Sequence, residues 1–72
     1  MSLNTAAVGQ RLQVKEIQTK PKIIKFLFSL GCYEGEEITV ISKLAGNYVI
    51  NIKDSRYAID EHMAKMIKVT YA

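Results

Sequence analysis

Apolar and polar positions alternate along most of this chain, and the period of the alternation marks out its elements. Between Gln10 and Ile17, Leu12 and Val14 are separated by Arg11, Gln13 and Lys15, the period-two pattern of a half-buried strand. Ile17 is out of step, which predicts a bulge or a strand end near Glu16 that returns it to the core. From Lys22 to Leu30 the period lengthens. At about 100° per residue, Ile23, Phe26, Leu27 and Leu30 cluster on one face, with Lys22, Lys25 and Ser29 opposite, so an amphipathic helix is predicted. Pro21 suits its first position, where a missing amide hydrogen leaves nothing unpaired. Phe28 falls away from the centre of the apolar stripe, at its rim or in solvent.

The stretch from Leu30 to Val40 is where helical spacing gives way to strand spacing. Gly31 lets the backbone leave a helix through a left-handed conformation, and Gly35 permits a turn at Glu34-Gly35-Glu36 after the extended link Cys32-Tyr33. Ile38 and Val40 then open a second strand that runs to Ser42. Lys43 to Asn47 reads as a loop. Tyr48, Ile50 and Ile52 alternate with Val49, Asn51 and Lys53, and Asp54-Ser55 is placed as a tight hairpin into Arg56 to Ile59. Asp60 caps a single helical turn through Ala64, and Ile67, Val69 and Tyr71 form the last strand.

Residues 1–72 therefore read as one domain, with residues 1–8 a loosely ordered entry. The expected class is mainly β: about five short antiparallel strands, one short α-helix and one helical turn. Five short strands in a chain of this size hide their edges best by curling into a small barrel that the helix closes at one end.

Composition narrows the function. A chain of 72 residues supports one modest core and little scaffold for a deep catalytic cleft, which favours a binding module. Its single cysteine, Cys32, forms no internal disulfide, as expected of a reducing, cytoplasmic setting. The longest apolar run, Phe26-Leu27-Phe28, is far too short to span a bilayer, and no basic segment followed by an apolar core opens the chain. No direct membrane insertion is expected. Net charge is +3, and residues 1–25 concentrate the basicity: Arg11, Lys15, Lys20, Lys22 and Lys25 stand there against Glu16 alone. Such a patch attracts an acidic partner or is simply solvated.

Candidate chemistry is thin. One histidine, His62, and one cysteine lie far apart with no third group at a telling spacing, so no catalytic residue is assigned. Metal ligation needs three or four converging donors. Cys32 with Glu34, Glu36 and Glu37 would mix soft and hard ligands, and no metal or other cofactor is assigned. Small barrels also bind single-stranded nucleic acid on exposed aromatics. Tyr48 and Tyr57, however, fall in register with Ile50, Ile52 and Ile59, which assigns their rings to the core; no nucleic acid is expected as a partner.

Taken jointly, the spacing of Gly9, Val14 and Ile17, then of Leu27, Leu30-Gly31, Gly35, Ile38 and Val40, then of Ala58-Ile59, Ala64, Ile67 and Val69 resembles the ferrous iron transport protein A (FeoA) family. The resemblance covers nearly the whole chain. This chain departs from the family pattern at Phe26, where Arg is usual, at Glu34, where Pro is common, and at Ile59-Asp60, where Leu-Arg is usual. The resemblance implies an SH3-like barrel and a cytoplasmic, non-enzymatic accessory of ferrous iron uptake, docking on the GTPase-containing cytoplasmic region of a membrane transporter. Alternatives are a nucleic-acid-binding small barrel and the SH3-like regulatory domain of a metal-responsive repressor. Lys22, Lys25, Phe28, Tyr33 and Glu34, around the helix end and the following turn, form the candidate partner-binding set. Exposed barrel edges further suggest a weak homodimer.

Overall fold

Strand β1 (Arg11–Ile17) leads to helix α1 (Pro21–Ser29), followed by strands β2 (Glu37–Leu44), β3 (Asn47–Ile52) and β4 (Ser55–Asp60), helix α2 (Glu61–Met66) and strand β5 (Ile67–Tyr71). The computed structural model describes residues 1–72. All five strands are antiparallel neighbours in one sheet of order β4-β3-β2-β1-β5. The sheet is curled, since the molecule measures 27 × 26 × 23 Å and has no flat dimension. α2 carries the chain between the two outermost strands, β4 and β5.

Alternation along the strands places the core. Leu12, Val14, Ile38, Val40, Tyr48, Ile50, Ile52, Ile59, Ile67 and Val69 all point inward and are buried. Between Val14 and Glu16 the pairing of β1 with β5 shifts register, and this bulge brings Ile17 opposite Ile67 and against the core, as its phase required. Tyr48 is buried, with its hydroxyl donating to the Asn4 carbonyl at 3.2 Å, and Tyr57 is half-buried against the core.

Five expectations are corrected. The amino-terminal segment is part of the core: Leu3–Thr5 forms a 3-10 turn, and Leu3 and Ala6 are buried. Three residues per turn put positions 3 and 6 on one side, so two modest apolar residues suffice to anchor it. Phe26 is 45% exposed. The buried stripe of α1 is narrow, with Leu27 at its centre flanked by half-buried Ile23 and Leu30, and Phe26 lies beyond its edge.

The loop read at Lys43–Asn47 shrinks to two residues, Ala45-Gly46, with φ of 51° and 78°. The second hairpin turns on Lys53-Asp54, one residue earlier than expected, with φ of 50° and 64°. Both are tight turns with two left-handed central residues, whose twist matches that of the flanking strands. Finally, α2 is six residues long rather than one turn. Asp60 caps it as expected, its Oδ1 accepting from the Met63 amide at 2.7 Å.

Candidate functional site

Helix α1 stops where its sequence says it should. The Cys32 amide donates to the Leu27 carbonyl at 3.0 Å and the Gly31 amide to that of Phe28 at 2.9 Å, the paired bonds of a Schellman end, with Gly31 at φ +88°. Cys32 and Leu27 are both buried at this closure. A tight turn follows, in which the Glu36 amide donates to the Tyr33 carbonyl at 3.0 Å and Gly35 sits at φ +93°. The turn is tied to β1 from both sides: the Gly35 amide donates to the Val14 carbonyl, and the Val14 amide to the Glu36 carbonyl, each at 2.8 Å. Glu34 is thereby presented at an exposed turn on a fixed backbone.

The side chains around this turn form an ordered edge. Phe28 is 53% exposed yet stands edge-on to the Tyr33 ring, with centroids 5.7 Å apart. On Tyr33 the Lys53 ammonium lies 4.9 Å from the ring centroid and donates to the hydroxyl at 2.6 Å. Lys53 also lies 3.4 Å from a Glu36 carboxylate oxygen. The Tyr33 hydroxyl, and secondarily the Glu36 carboxylate, holds the Lys53 ammonium protonated above its ordinary range.

Phe28 and Glu34 additionally line one shallow cavity of about 220 Å³ with Glu16, Ile17 and Ile24. Its apolar surfaces come from Phe28, Ile24 and Ile17, and both of its charged residues are carboxylates. Such a notch has the chemistry to take an aliphatic stem ending in a cation.

Of the five residues proposed from sequence, the fold brings Phe28, Tyr33 and Glu34 together around this edge. Lys25, one helical turn before Phe28, lies on the same flank of α1, whereas Lys22 lies toward the Phe26 flank. Lys53, Ile24, Glu16 and Ile17 belong to the edge and were missed. Ile24 was accessible as the i−4 neighbour of Phe28; Lys53 carries no local signal, because it arrives from a different hairpin. The basic amino-terminal third is partly neutralised by a pair between Arg11 and Glu37 at 2.9 Å across β1 and β2.

Cys32 is buried, and burial pushes its thiol up to about 11, far from the range of a reactive thiolate. No three His, Cys, Asp or Glu side chains converge in a metal-holding arrangement. No helix is long and apolar enough to cross a membrane.

Comparison with known proteins agrees with this architecture. A crystal structure of an iron uptake regulatory protein (FeoA) superposes with a TM-score of 0.89 at 24% identity, covering 97% of this chain and 93% of that one. Stenotrophomonas maltophilia FeoA complexed with zinc, described as a prokaryotic SH3 domain protein, gives 0.85 at 22% identity, with coverages of 97% and 89%. A manganese-dependent transcriptional repressor contains the same fold, with a TM-score of 0.88 at 19% identity; all of this chain matches 41% of that longer one. No curated protein matches the sequence. The FeoA domain family itself matches residues 1–71, in keeping with the barrel and the glycine-bracketed turn, and the chain belongs to that family.

Proposed function

We propose that this protein is a cytoplasmic accessory of ferrous iron uptake, a non-enzymatic module that docks on the GTPase-containing cytoplasmic region of a membrane ferrous iron transporter. Family membership supports the iron assignment, and the Stenotrophomonas maltophilia relative has itself been proposed as a ferrous iron transport activating factor. The observation that carries docking is the state of Phe28. It is half in solvent but braced by Tyr33, which Lys53 in turn holds. An exposed aromatic already fixed in place loses little freedom on binding, the property of an interface anchor. Charged neighbours, Lys25 and Glu34, form a rim suited to a small, reversible contact.

Capture of the transporter's purified cytoplasmic region by immobilised protein tests this. Phe28→Ala is expected to reduce capture at least tenfold, while Phe26→Ala, which removes an equally exposed ring from the other flank of α1, leaves it unchanged. Equal capture by wild type and Phe28→Ala, both folded, would remove this edge from the interface.

A further inference from the structure

Strand β4 is an outermost strand of the sheet, and its hairpin decides which of its backbone groups are free. Because the loop is the two residues Lys53-Asp54, Ile52 and Ser55 form a hydrogen-bonded pair, and the bonded pairs recur at Ile50 with Tyr57 and at Tyr48 with Ile59. Arg56, Ala58 and Asp60 therefore turn their amide groups away from β3, and no turn, loop or cap bond elsewhere in the molecule reaches Arg56 or Ala58. The same three side chains are exposed on the outer face. Arg56 has no carboxylate partner within the chain, whose ion pairs are Arg11 with Glu37 and Lys53 with Glu36.

The geometry points to a second copy of this chain as the occupant of that edge, in an antiparallel twofold pairing centred on Ala58. This register sets Ala58 against the partner's Ala58 and Arg56 against the partner's Asp60 at both ends. It forms about four backbone hydrogen bonds between the chains: two between the alanines, and two from the Asp60 amides to the Arg56 carbonyls. Opposite charges directly across an antiparallel pair are favourable and like charges are not, which selects this register. Centring on Arg56 opposes two arginines, centring on Asp60 opposes two aspartates, and pairing Arg56 with Ala58 sets Asp54 against Asp60.

The opposite outermost strand is protected. The Val69 amide donates to the Met1 carbonyl at 2.8 Å and Ser2 bridges Lys68, so the amino-terminal segment covers part of the free side of β5. With one edge available, association closes as a twofold dimer instead of growing head to tail. A contact along one six-residue strand falls among small, transient interfaces, so the dimer forms only at high protein concentration.

Sedimentation equilibrium of the whole chain from about 0.02 to 1 mM tests this by mass action. The weight-average mass is expected to rise toward twice the monomer value. Arg56→Asp, which places like charges across both ends, is expected to weaken association at least tenfold without loss of fold, since Arg56 is exposed. Asp60→Asn, which keeps the oxygen that caps α2 and removes the charge opposite the partner's Arg56, is expected to weaken association as well. The amide of Ala58 should exchange with solvent more slowly as concentration rises. A mass that stays monomeric throughout, or an Arg56→Asp protein that associates as wild type does, would overturn the pairing.

Discussion

The Lys53 ammonium donates to the Tyr33 hydroxyl at 2.6 Å, and this one bond ties the β3–β4 hairpin to the turn that follows α1. It also accounts for a costly backbone. Lys53 lies at φ 50°, a left-handed conformation that disfavours a residue with a Cβ by about 1 kcal/mol. Its long side chain compensates by reaching both Tyr33 and Glu36. Lys53→Ala keeps the strain and loses the contacts, and is expected to lower stability below wild type; Lys53→Gly relieves the strain and is expected to be more stable than Lys53→Ala. Urea unfolding of the two variants against wild type checks the order.

Gly31 and Gly35 share nearly the same φ, +88° and +93°, but only one is crowded. A Cβ on Gly31 would lie 3.2 Å from Lys53 Cδ, while one on Gly35 meets nothing within 4 Å. Gly35→Ala is expected to cost about 1 kcal/mol from conformation alone, and Gly31→Ala more, with Tyr33 displaced as Lys53 shifts. Chemical denaturation gives the difference, and the Tyr33 ring resonances report the displacement.

Leu3 is completely buried, in a segment whose composition reads as a loose entry. Leu3→Ala is expected to cost about 2–5 kcal/mol, the range for a core leucine, whereas Val8→Ala, at a 54% exposed position, changes little. Equal midpoints of thermal unfolding for the two variants would place the segment outside the core.

Alkaline pH should weaken the fold through Cys32. Burial raises its thiol from 9.0 to about 11, so between those values the unfolded chain releases a proton that the folded chain retains. Stability is fully present below about 9 and falls as pH rises toward about 11, by on the order of 2 kcal/mol. Cys32→Ala should be flatter over this window. A thiol reagent should label native protein at the rate of opening, not at the rate of a free cysteine.

Much of the barrel was legible because it rests on local periodicity. Leu12, Val14, Ile38, Val40, Tyr48, Ile50, Ile52, Ile59, Ile67 and Val69 announce their inward face by alternation alone, and Ile17 announces its bulge by breaking it. Gly31 and Gly35 mark the two changes of direction for the same local reason. The hairpins were legible only approximately. Nothing in Lys53-Asp54 favours two left-handed residues over the neighbouring Asp54-Ser55, and the register of β3 against β4 settles the turn by keeping Ile59 opposite Tyr48.

The candidate edge divides in the same way. Phe28 was identifiable as a large apolar side chain off the helical stripe, and Glu34 as the charged residue of a turn. The bracing of Tyr33 by Lys53 depends on a hairpin twenty residues away in sequence. Phe26 shows the converse. Helical phase placed it near the buried stripe, but how wide a stripe is covered depends on what the helix packs against.

The sequence by itself determined the class of fold, the order of its elements and the family, because those follow from side-chain period, glycine position and joint spacing within the chain. Only the tertiary structure decided that Leu3 and Ala6 enter the core, which aromatics stand in solvent, and that β4 offers a free edge while the amino-terminal segment covers part of β5. Each of these is a contact between distant segments: closing the sheet brings Leu3 to α2, Lys53 to Tyr33, and Met1 to Val69.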